Sequence, residues 1–242
     1  MVISNINVNL KFVSRVVFDI ETIGFPFDTF DKKQQDYITK FAANDQEVTI
    51  AKEKLGLHPL TGRVVTIALY NPDTNKGVVY FDSGNNQKYD HYEDLIHYVS
   101  CDEKTMLENF WKDIEKFDEY ITFNGRSFDC PFLTLRSAIL GVKVFRDLIP
   151  PRFEKKPHID LMEVFTFNGA LEKKYPLHFY CKAFNVTSPK EGEVEGSEVS
   201  KFFTEGKGLE IAQYCLRDVV ATGDLFKKWE VCAPPPFTKK WN

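Results

Sequence analysis

The chain has 242 residues, of which 43% are hydrophobic and 27% are charged, so it can build a folded core and is too apolar for an extended disordered chain. Its 31 basic and 35 acidic residues leave a net charge of -4, so any contact with nucleic acid or another polyanion must be local. The five cysteines form no C-x-x-C pair, which disfavours a disulfide framework and a cysteine zinc site. We therefore expect a soluble, cytoplasmic protein that does not bind a membrane.

Runs of β-branched and aromatic residues bounded by turn residues predict five strands. In chain order they are residues 15–22, 64–70, 78–81, 120–123 and 142–145. The second and third form an antiparallel hairpin across a turn at 71–77. The first carries two acids, Asp19 and Glu21, in an otherwise apolar run. A pair of acids in a buried strand is the first indication of a functional site.

Apolar residues at helical spacing predict the helices. After a loosely helical, mixed-charge insertion at 27–57, they are a helix capped by Asp102 and apolar from 107 to 117, then 128–140, 160–167, 177–184, 197–203 and 209–230. Gly141 ends the second of these, and three prolines at 234–236 stop the last. Strands and helices alternate, so we expect one α/β domain over residues 1–232 followed by a proline-rich tail at 233–242.

The acids of the first strand are two residues apart, so both point from one face while Phe18 and Ile20 point from the other. Two like charges among apolar neighbours cost several kcal/mol unless a proton or cation compensates them. Carboxylate oxygens suit Mg²⁺ or Mn²⁺. For Asp19 and Glu21 alone, a solvated edge strand explains the pattern equally well.

Two further motifs carry acids. In the sequence T-F-N-G-R-S-F-D-C-P-F a strand ends, turns and begins a helix with Asp129 at its N-terminus, where an aspartate is commonly only a cap. In the long helix, Tyr214 and Asp218 are four residues apart and share a face beside the apolar stripe. That face could border a cleft, or it could carry a surface tyrosine and a solvated aspartate.

Together the motifs F-D-I-E-T, N-G-R-S-F-D-C-P and Y-C-L-R-D resemble the signature of the DEDD exonucleases of the ribonuclease-H-like superfamily, over residues 15–229. The middle motif is similar to the proofreading domain of family B DNA polymerases, and the closest resemblance is to predicted PolB-like 3'-5' exonucleases. Tyr214, with Gln at position 213, resembles the DEDDy type. The resemblance implies an α/β fold with a ribonuclease-H-like mixed sheet, an antiparallel hairpin plus parallel strands, flanked by helices.

The resemblance also implies a two-metal hydrolysis of phosphodiester bonds, with Mg²⁺ or Mn²⁺ as the cofactors. Asp19, Glu21 and Asp218 would hold the metal that activates water. Asp19 and Asp129 would hold the metal on the leaving 3'-oxygen, and Tyr214 would orient the attacking water. Four carboxylates would thus bind two divalent cations.

Contacts with the terminal nucleotide are expected from four residues that follow or lie within these motifs: Thr22, Phe25, Asn124 and Phe128. Turn and core roles explain them equally well. The basic segment 143–156 could follow substrate phosphates or could be ordinary solvated surface.

The sequence therefore predicts a stand-alone 3'-5' exonuclease that releases nucleoside 5'-monophosphates from single-stranded DNA, without a polymerase module after the domain. It would act on ends supplied in trans by a polymerase or a repair complex. The alternatives are an exoribonuclease, an endonuclease on the same fold, and a nucleic-acid-binding scaffold that has lost catalysis. His158 and Asp160 do not indicate a further metal site, because Asp160 is explained as a helix cap.

Overall fold

The computed structural model describes residues 13–151, 156–189 and 198–233, which contain a seven-stranded sheet with helices on both faces. The strands are β1 (Arg15–Gly24), β2 (Gly62–Asn71), β3 (Lys76–Phe81), β4 (Asp90–Glu93), β5 (Ile96–Ser100), β6 (Glu119–Thr122) and β7 (His158–Asp160). The helices are α1 (Lys32–Ile38), α2 (Asp45–Glu53), α3 (Glu103–Ile114), α4 (Asp129–Ile139), α5 (Leu161–Phe165), α6 (Leu177–Ala183), α7 (Val199–Thr204) and α8 (Gly208–Cys232).

The sheet has the strand order β4-β5-β3-β2-β1-β6-β7 and is mixed. β1 pairs with β2, and β2 with β3, in antiparallel fashion, whereas β1 pairs with β6, and β6 with β7, in parallel. The predicted α/β fold, with an antiparallel hairpin beside parallel strands, is confirmed. β6 pairs with β1 only from Arg15 to Val17. Beyond Val17, one edge of β1 is therefore open to contacts from outside the sheet.

Alternation along β1 determines which helices its side chains meet. Val16, Phe18 and Ile20 pack into the cluster formed with α3 and α4. Val17 packs into the cluster formed with α8 on the opposite face. Asp19 and Glu21 share the alternation of Val17, so they are directed towards the face that α8 covers.

The predicted strand at 142–145 is wrong. The Val142 N–H closes the end of α4 by donating to the Ser137 carbonyl oxygen at 2.8 Å, and its side chain packs with Leu148 in the cluster of α3 and α4. Side-chain burial, without strand pairing, therefore holds this segment. β7 instead pairs with β6. The sequence does not predict this strand and indicates a helix cap at its last residue, Asp160.

The predicted helices are confirmed with small shifts of their ends. Asp102 caps α3 by accepting from the Thr105 N–H at 3.0 Å, and Gly141 follows α4 with a positive φ of 67°. The insertion at 27–57 contains α1 and α2. Residues 234–242 of the predicted tail lie outside the described residues. Within the part of the chain that the structure describes, no helix is long and apolar enough to cross a membrane.

Candidate active site

Asp19 and Glu21 meet α8 at Cys215. One ligand atom from each of the three side chains lies within 4.8 Å of the others, and both acids stay partly accessible to solvent. The Cys215 thiol donates to the Asp19 carbonyl oxygen at 3.4 Å and lies 3.6 Å from Asp19 Oδ2. Cys215 lies inside the third motif, but no sequence pattern marks it as a site residue.

Asp129 reaches this pair from α4. It is the first residue of the helix, it is buried, and its Oδ1 accepts from the Ile20 N–H at 3.1 Å on the edge of β1 that β6 leaves open. Its carboxyl group also lies close enough to that of Asp19 for the two to interact electrostatically. Asp129 is therefore placed by a contact with β1, and the N-cap position of α4 is held by Phe128 without a side-chain cap.

Tyr214 and Asp218 lie one turn apart on α8, where burial and the neighbouring Asp218 raise the pKa of the Tyr214 hydroxyl. Tyr214 is only 8% exposed, so it lies deeper than a residue on the margin between core and solvent. The Arg217 guanidinium lies over the Tyr214 ring, 5.7 Å from its centre. The ring is thus fixed between the core and a cation, with its hydroxyl turned to the acids.

The acids repel one another in a desolvated site. Burial raises the pKa of Asp19 well above its usual range, and repulsion by Asp129, Asp218 and Glu21 raises it further. Burial and repulsion by Asp218 and Asp129 likewise raise the pKa of Glu21. Burial raises the pKa of Asp129 to about 7. Without a compensating cation, Asp19, Glu21 and Asp129 therefore hold their protons to a higher pH than ordinary carboxyl groups do.

This donor set fits hard divalent cations. Asp19, Glu21, Asp129 and Asp218 offer carboxylate oxygens, which Mg²⁺ and Mn²⁺ prefer. Burial raises the pKa of Cys215, with a contribution from Asp19, so its sulfur stays a thiol. Because the thiolate is the metal-binding form of cysteine, Cys215 fits a hydrogen-bond donor to Asp19 better than a ligand.

A cavity of about 320 Å³ opens beside the acids. It is lined by residues of all three site motifs and by an apolar wall: Asp19, Phe123, Asn124, Met162, Pro176, Leu177, His178, Pro189, Tyr214, Asp218 and Thr222. His178 Nδ1 is 2.7 Å from the Ser188 hydroxyl. The sequence singled out four of these residues, and the apolar wall and His178 carried no recognisable motif.

The turn that carries Asn124 into the cavity is held by Asp160. Asp160 Oδ1 accepts from the N–H groups of Asn124 and Met162, and Oδ2 accepts from that of Arg126, each at 2.9 Å. Asn124 has a positive φ of 66°, a conformation that asparagine tolerates better than most residues. Asp160 thus caps α5, as the sequence predicts, and also fixes a turn 36 residues away.

The other three predicted nucleotide contacts lie outside this cavity. The Thr22 hydroxyl donates to the Gly56 carbonyl oxygen at 2.7 Å. The Phe25 ring lies 5.2 Å from the Arg136 guanidinium carbon, and Phe128 packs against the cluster of α3 and α4. Their contact with a nucleotide stays a prediction.

His158 is buried, and burial lowers its pKa to about 3, so the ring is neutral. Its Nδ1 lies 2.8 Å from the Leu148 carbonyl oxygen and its Nε2 lies 2.7 Å from the Thr122 hydroxyl. Both ring nitrogens are therefore engaged within the core. This agrees with leaving His158 out of the metal site.

Part of the basic segment 143–156 is engaged by the protein itself. Lys156 pairs with Glu119, and Arg146 donates to the Phe117 carbonyl oxygen at 2.6 Å. Residues 152–155 lie outside the described residues. A phosphate-binding role for the segment stays a prediction.

A family model described as "Predicted 3'-5' exonuclease related to the exonuclease domain of PolB" matches residues 62–234. The matched range contains Asp129, Tyr214 and Asp218 and begins after β1. It covers more than half of the chain.

Similar proteins are DNA polymerases. Those of Desulfurococcus sp. (strain Tok) and Pyrococcus glycovorans are both 32% identical to this chain, over 52% and 54% of its length. The chain spans 18% and 19% of those polymerases. A solved family B DNA polymerase from Pyrobaculum calidifontis shares the fold, with a TM-score of 0.57, 18% identity, and coverage of 90% of this chain and 24% of that one. From the match of the family model, the chain belongs to the family of predicted 3'-5' exonucleases related to the exonuclease domain of PolB.

Proposed function

We propose that the protein is a stand-alone 3'-5' exonuclease that removes nucleoside 5'-monophosphates from single-stranded DNA with two divalent cations, Mg²⁺ or Mn²⁺. The observation that carries the proposal is the convergence of four acids from β1, α4 and α8 at one site, with Tyr214 beside Asp218 on α8. The similar DNA polymerases support DNA as the substrate. Ends would be supplied in trans by a polymerase or a repair complex.

Asp19, Glu21, Asp129 and Asp218 would hold the cations. Bound divalent cations polarise a phosphate oxygen and lower the pKa of coordinated water. The acids retain protons in the metal-free site, so cation binding would release protons and strengthen with rising pH.

Tyr214 acts as a donor in this proposal. Burial and the neighbouring Asp218 raise the pKa of its hydroxyl far above the ordinary value, so it stays protonated at any working pH. It can orient water or a phosphate oxygen, and it cannot serve as the base. The apolar cavity wall, with Phe123 and Met162, suits the sugar or base of one nucleotide and excludes water from the acids.

The test is digestion of 5'-labelled single-stranded DNA and RNA of equal sequence with Mn²⁺ or Mg²⁺. We expect a ladder that shortens from the 3' end, faster on DNA than on RNA, and intact circular single strands. Asp19→Ala and a chelator should each abolish the ladder. Binding of both polymers without cleavage would contradict the proposal and favour a scaffold, and cleavage of circles would favour an endonuclease.

A further inference from the structure

A groove of about 720 Å³ lies between the insertion at 27–57 and the turn that precedes β2. We call it the insertion groove; its walls include Phe30, Lys33, Tyr37, Phe41, Lys54 and Leu60. We propose that the insertion groove binds single-stranded DNA several nucleotides upstream of the 3' end. This inference rests on the proposed exonuclease function and adds a second DNA contact to it.

Three large apolar side chains of the groove, two of them aromatic, are exposed to solvent. Tyr37 is 76% exposed, Phe41 is 86% exposed and Leu60 is 60% exposed. Large apolar side chains grouped on a surface mark a binding site more often than scattered ones do. Exposed rings are also the platforms on which the bases of single strands stack, with little dependence on sequence.

The charges of the groove favour a polyanion. Its one lining acid, Asp31, is used at the start of α1, where it accepts from the Gln34 N–H at 2.9 Å. Lys33 and Lys54 form no ion pair with any described residue. Lys33 is four residues before Tyr37 on α1, so a cation and a ring share one helix face. Interleaved cations and rings suit the phosphates and bases of one strand.

The groove is fixed to the strand that carries the catalytic acids. Thr22, which follows Glu21, donates its hydroxyl to Gly56, and Gly56 is next to the groove residue Leu55. The Phe25 N–H donates to the carbonyl oxygen of Thr61, which also lines the groove, at 2.9 Å. The C-terminal end of β1 therefore connects the acids to the residues around the insertion groove, and in this proposal one DNA strand contacts both.

The experiment measures binding without turnover, by fluorescence anisotropy of 5'-labelled oligothymidylate in a chelator. Tyr37→Ala with Phe41→Ala should weaken binding of an oligonucleotide of about 20 nucleotides at least tenfold, and should leave one of about four nucleotides nearly unchanged. Lys33→Gln with Lys54→Gln should lower the salt dependence of binding by about 1.4 in the logarithmic slope. The control is Tyr92→Ala, an aromatic residue 69% exposed on the edge strand β4, which does not line the insertion groove and should bind like the wild type.

Unchanged binding of the long oligonucleotide by the Tyr37→Ala, Phe41→Ala variant would overturn the inference, as would an equal loss in Tyr92→Ala. Unchanged DNA binding with a loss of self-association would assign the groove to a protein partner and would also overturn it. A failure of the proposed function can be distinguished from a failure of this inference. A wild type that binds the long oligonucleotide through Tyr37 and Phe41 without cleaving it would sustain the groove and contradict the exonuclease.

Discussion

At the scale of single residues, specific contacts place the carboxyl groups of the site. Asp129 accepts a hydrogen bond from the backbone of β1, and the Cys215 thiol donates to the carbonyl oxygen of Asp19. Tyr214 lies one turn from Asp218 on α8. Asp19 and Asp129 are thus each held by a partner from another element, so a substitution of either partner changes both the charge and the position of its neighbours.

The raised pKa of Asp129, about 7, predicts a pH effect on stability. A group that holds its proton more tightly in the folded chain stabilises the fold below its unfolded pKa, and this contribution is lost as pH rises through the folded pKa. In chelator, Asp129→Asn should therefore gain thermal stability relative to the wild type as pH rises from about 4 to about 7. Melting curves across this pH range measure the difference in Tm between the variant and the wild type. Asp224→Asn on α8 is the matched acid control. A difference that stays constant with pH would refute the prediction.

Asp160 should matter to the nucleotide cavity through the turn it holds. Asp160→Asn keeps the oxygen that accepts from Asn124 and Met162 but places an amide near the Arg126 N–H, whereas Asp160→Ala removes both acceptor oxygens and all three hydrogen bonds. We expect losses of about 1 kcal/mol for Asn and about 3 kcal/mol for Ala in the free energy of unfolding. Steady-state kinetics of Asp160→Asn should show a larger rise in KM than fall in kcat. A stability loss with unchanged KM would restrict Asp160 to a structural role.

At the scale of elements, α8 brings Tyr214 and Asp218 to β1, and its position is fixed where it begins. A Cβ atom on Gly208 would lie 2.2 Å from the Asp82 carbonyl oxygen and 2.6 Å from Ser83 Cα, both on the backbone. Gly208 is therefore a close-approach glycine that lets the helix start directly at the end of β3. The same contact sets the direction of the whole helix.

Gly208→Ala should accordingly move the start of α8. We expect the free energy of unfolding to fall by about 1 to 3 kcal/mol and cleavage to fall with it, because the backbone must shift. Glu210→Ala, an exposed position in the same helical turn, is the control and should change stability by less than about 0.5 kcal/mol. Denaturant titration compares the variants. Equal stability of Gly208→Ala and the wild type would show that the backbone of Asp82 and Ser83 accommodates the added Cβ atom without cost.

Elements with strong local patterns were predictable, and those decided by tertiary contact were not. The antiparallel hairpin and the helix capped by Asp102 have clear periodicity and capping signals, and both are confirmed. Residues 142–145 have the sequence pattern of a strand, yet they form a loop. Val142 is buried in the same cluster as Leu148, and this burial takes the place of strand pairing. β4, with the sequence D-H-Y-E, has no apolar alternation, and β7 has only three residues. No local pattern distinguishes such segments from loops.

At the scale of the whole molecule, the site joins residues nearly 200 positions apart, since the Cys215 thiol meets Asp19. The acids were singled out by three motifs taken together with a family resemblance, because spacing in a strand or a helix predicts only that a pair of side chains shares a face. The role of Cys215 and the contact of Asp160 with the turn at Asn124 were not predictable, because they depend on which distant backbone group each side chain reaches. One domain over residues 1–232 stays a prediction.

Bound cations should stabilise the whole fold, because four closely spaced acids would lose their mutual repulsion. At a cation concentration of about 100 times Kd, the expected gain is about 2.7 kcal/mol, or a rise of several degrees in Tm. Thermal melting with Mn²⁺ or Mg²⁺ against chelator measures it. Asp19→Ala should lose most of the response. A response of equal size in that variant would place the bound cations elsewhere.

The most direct test of the proposed activity compares two acids of one helix. Asp218 lines the cavity and Asp224 lies six residues further along α8, outside it. On 5'-labelled single-stranded DNA with Mn²⁺, we expect Asp218→Asn to slow 3'-end shortening at least about a hundredfold and Asp224→Asn to stay within about twofold of the wild type. Equal rates for all three proteins, or loss of activity in both variants, would contradict a catalytic site built from β1, α4 and α8.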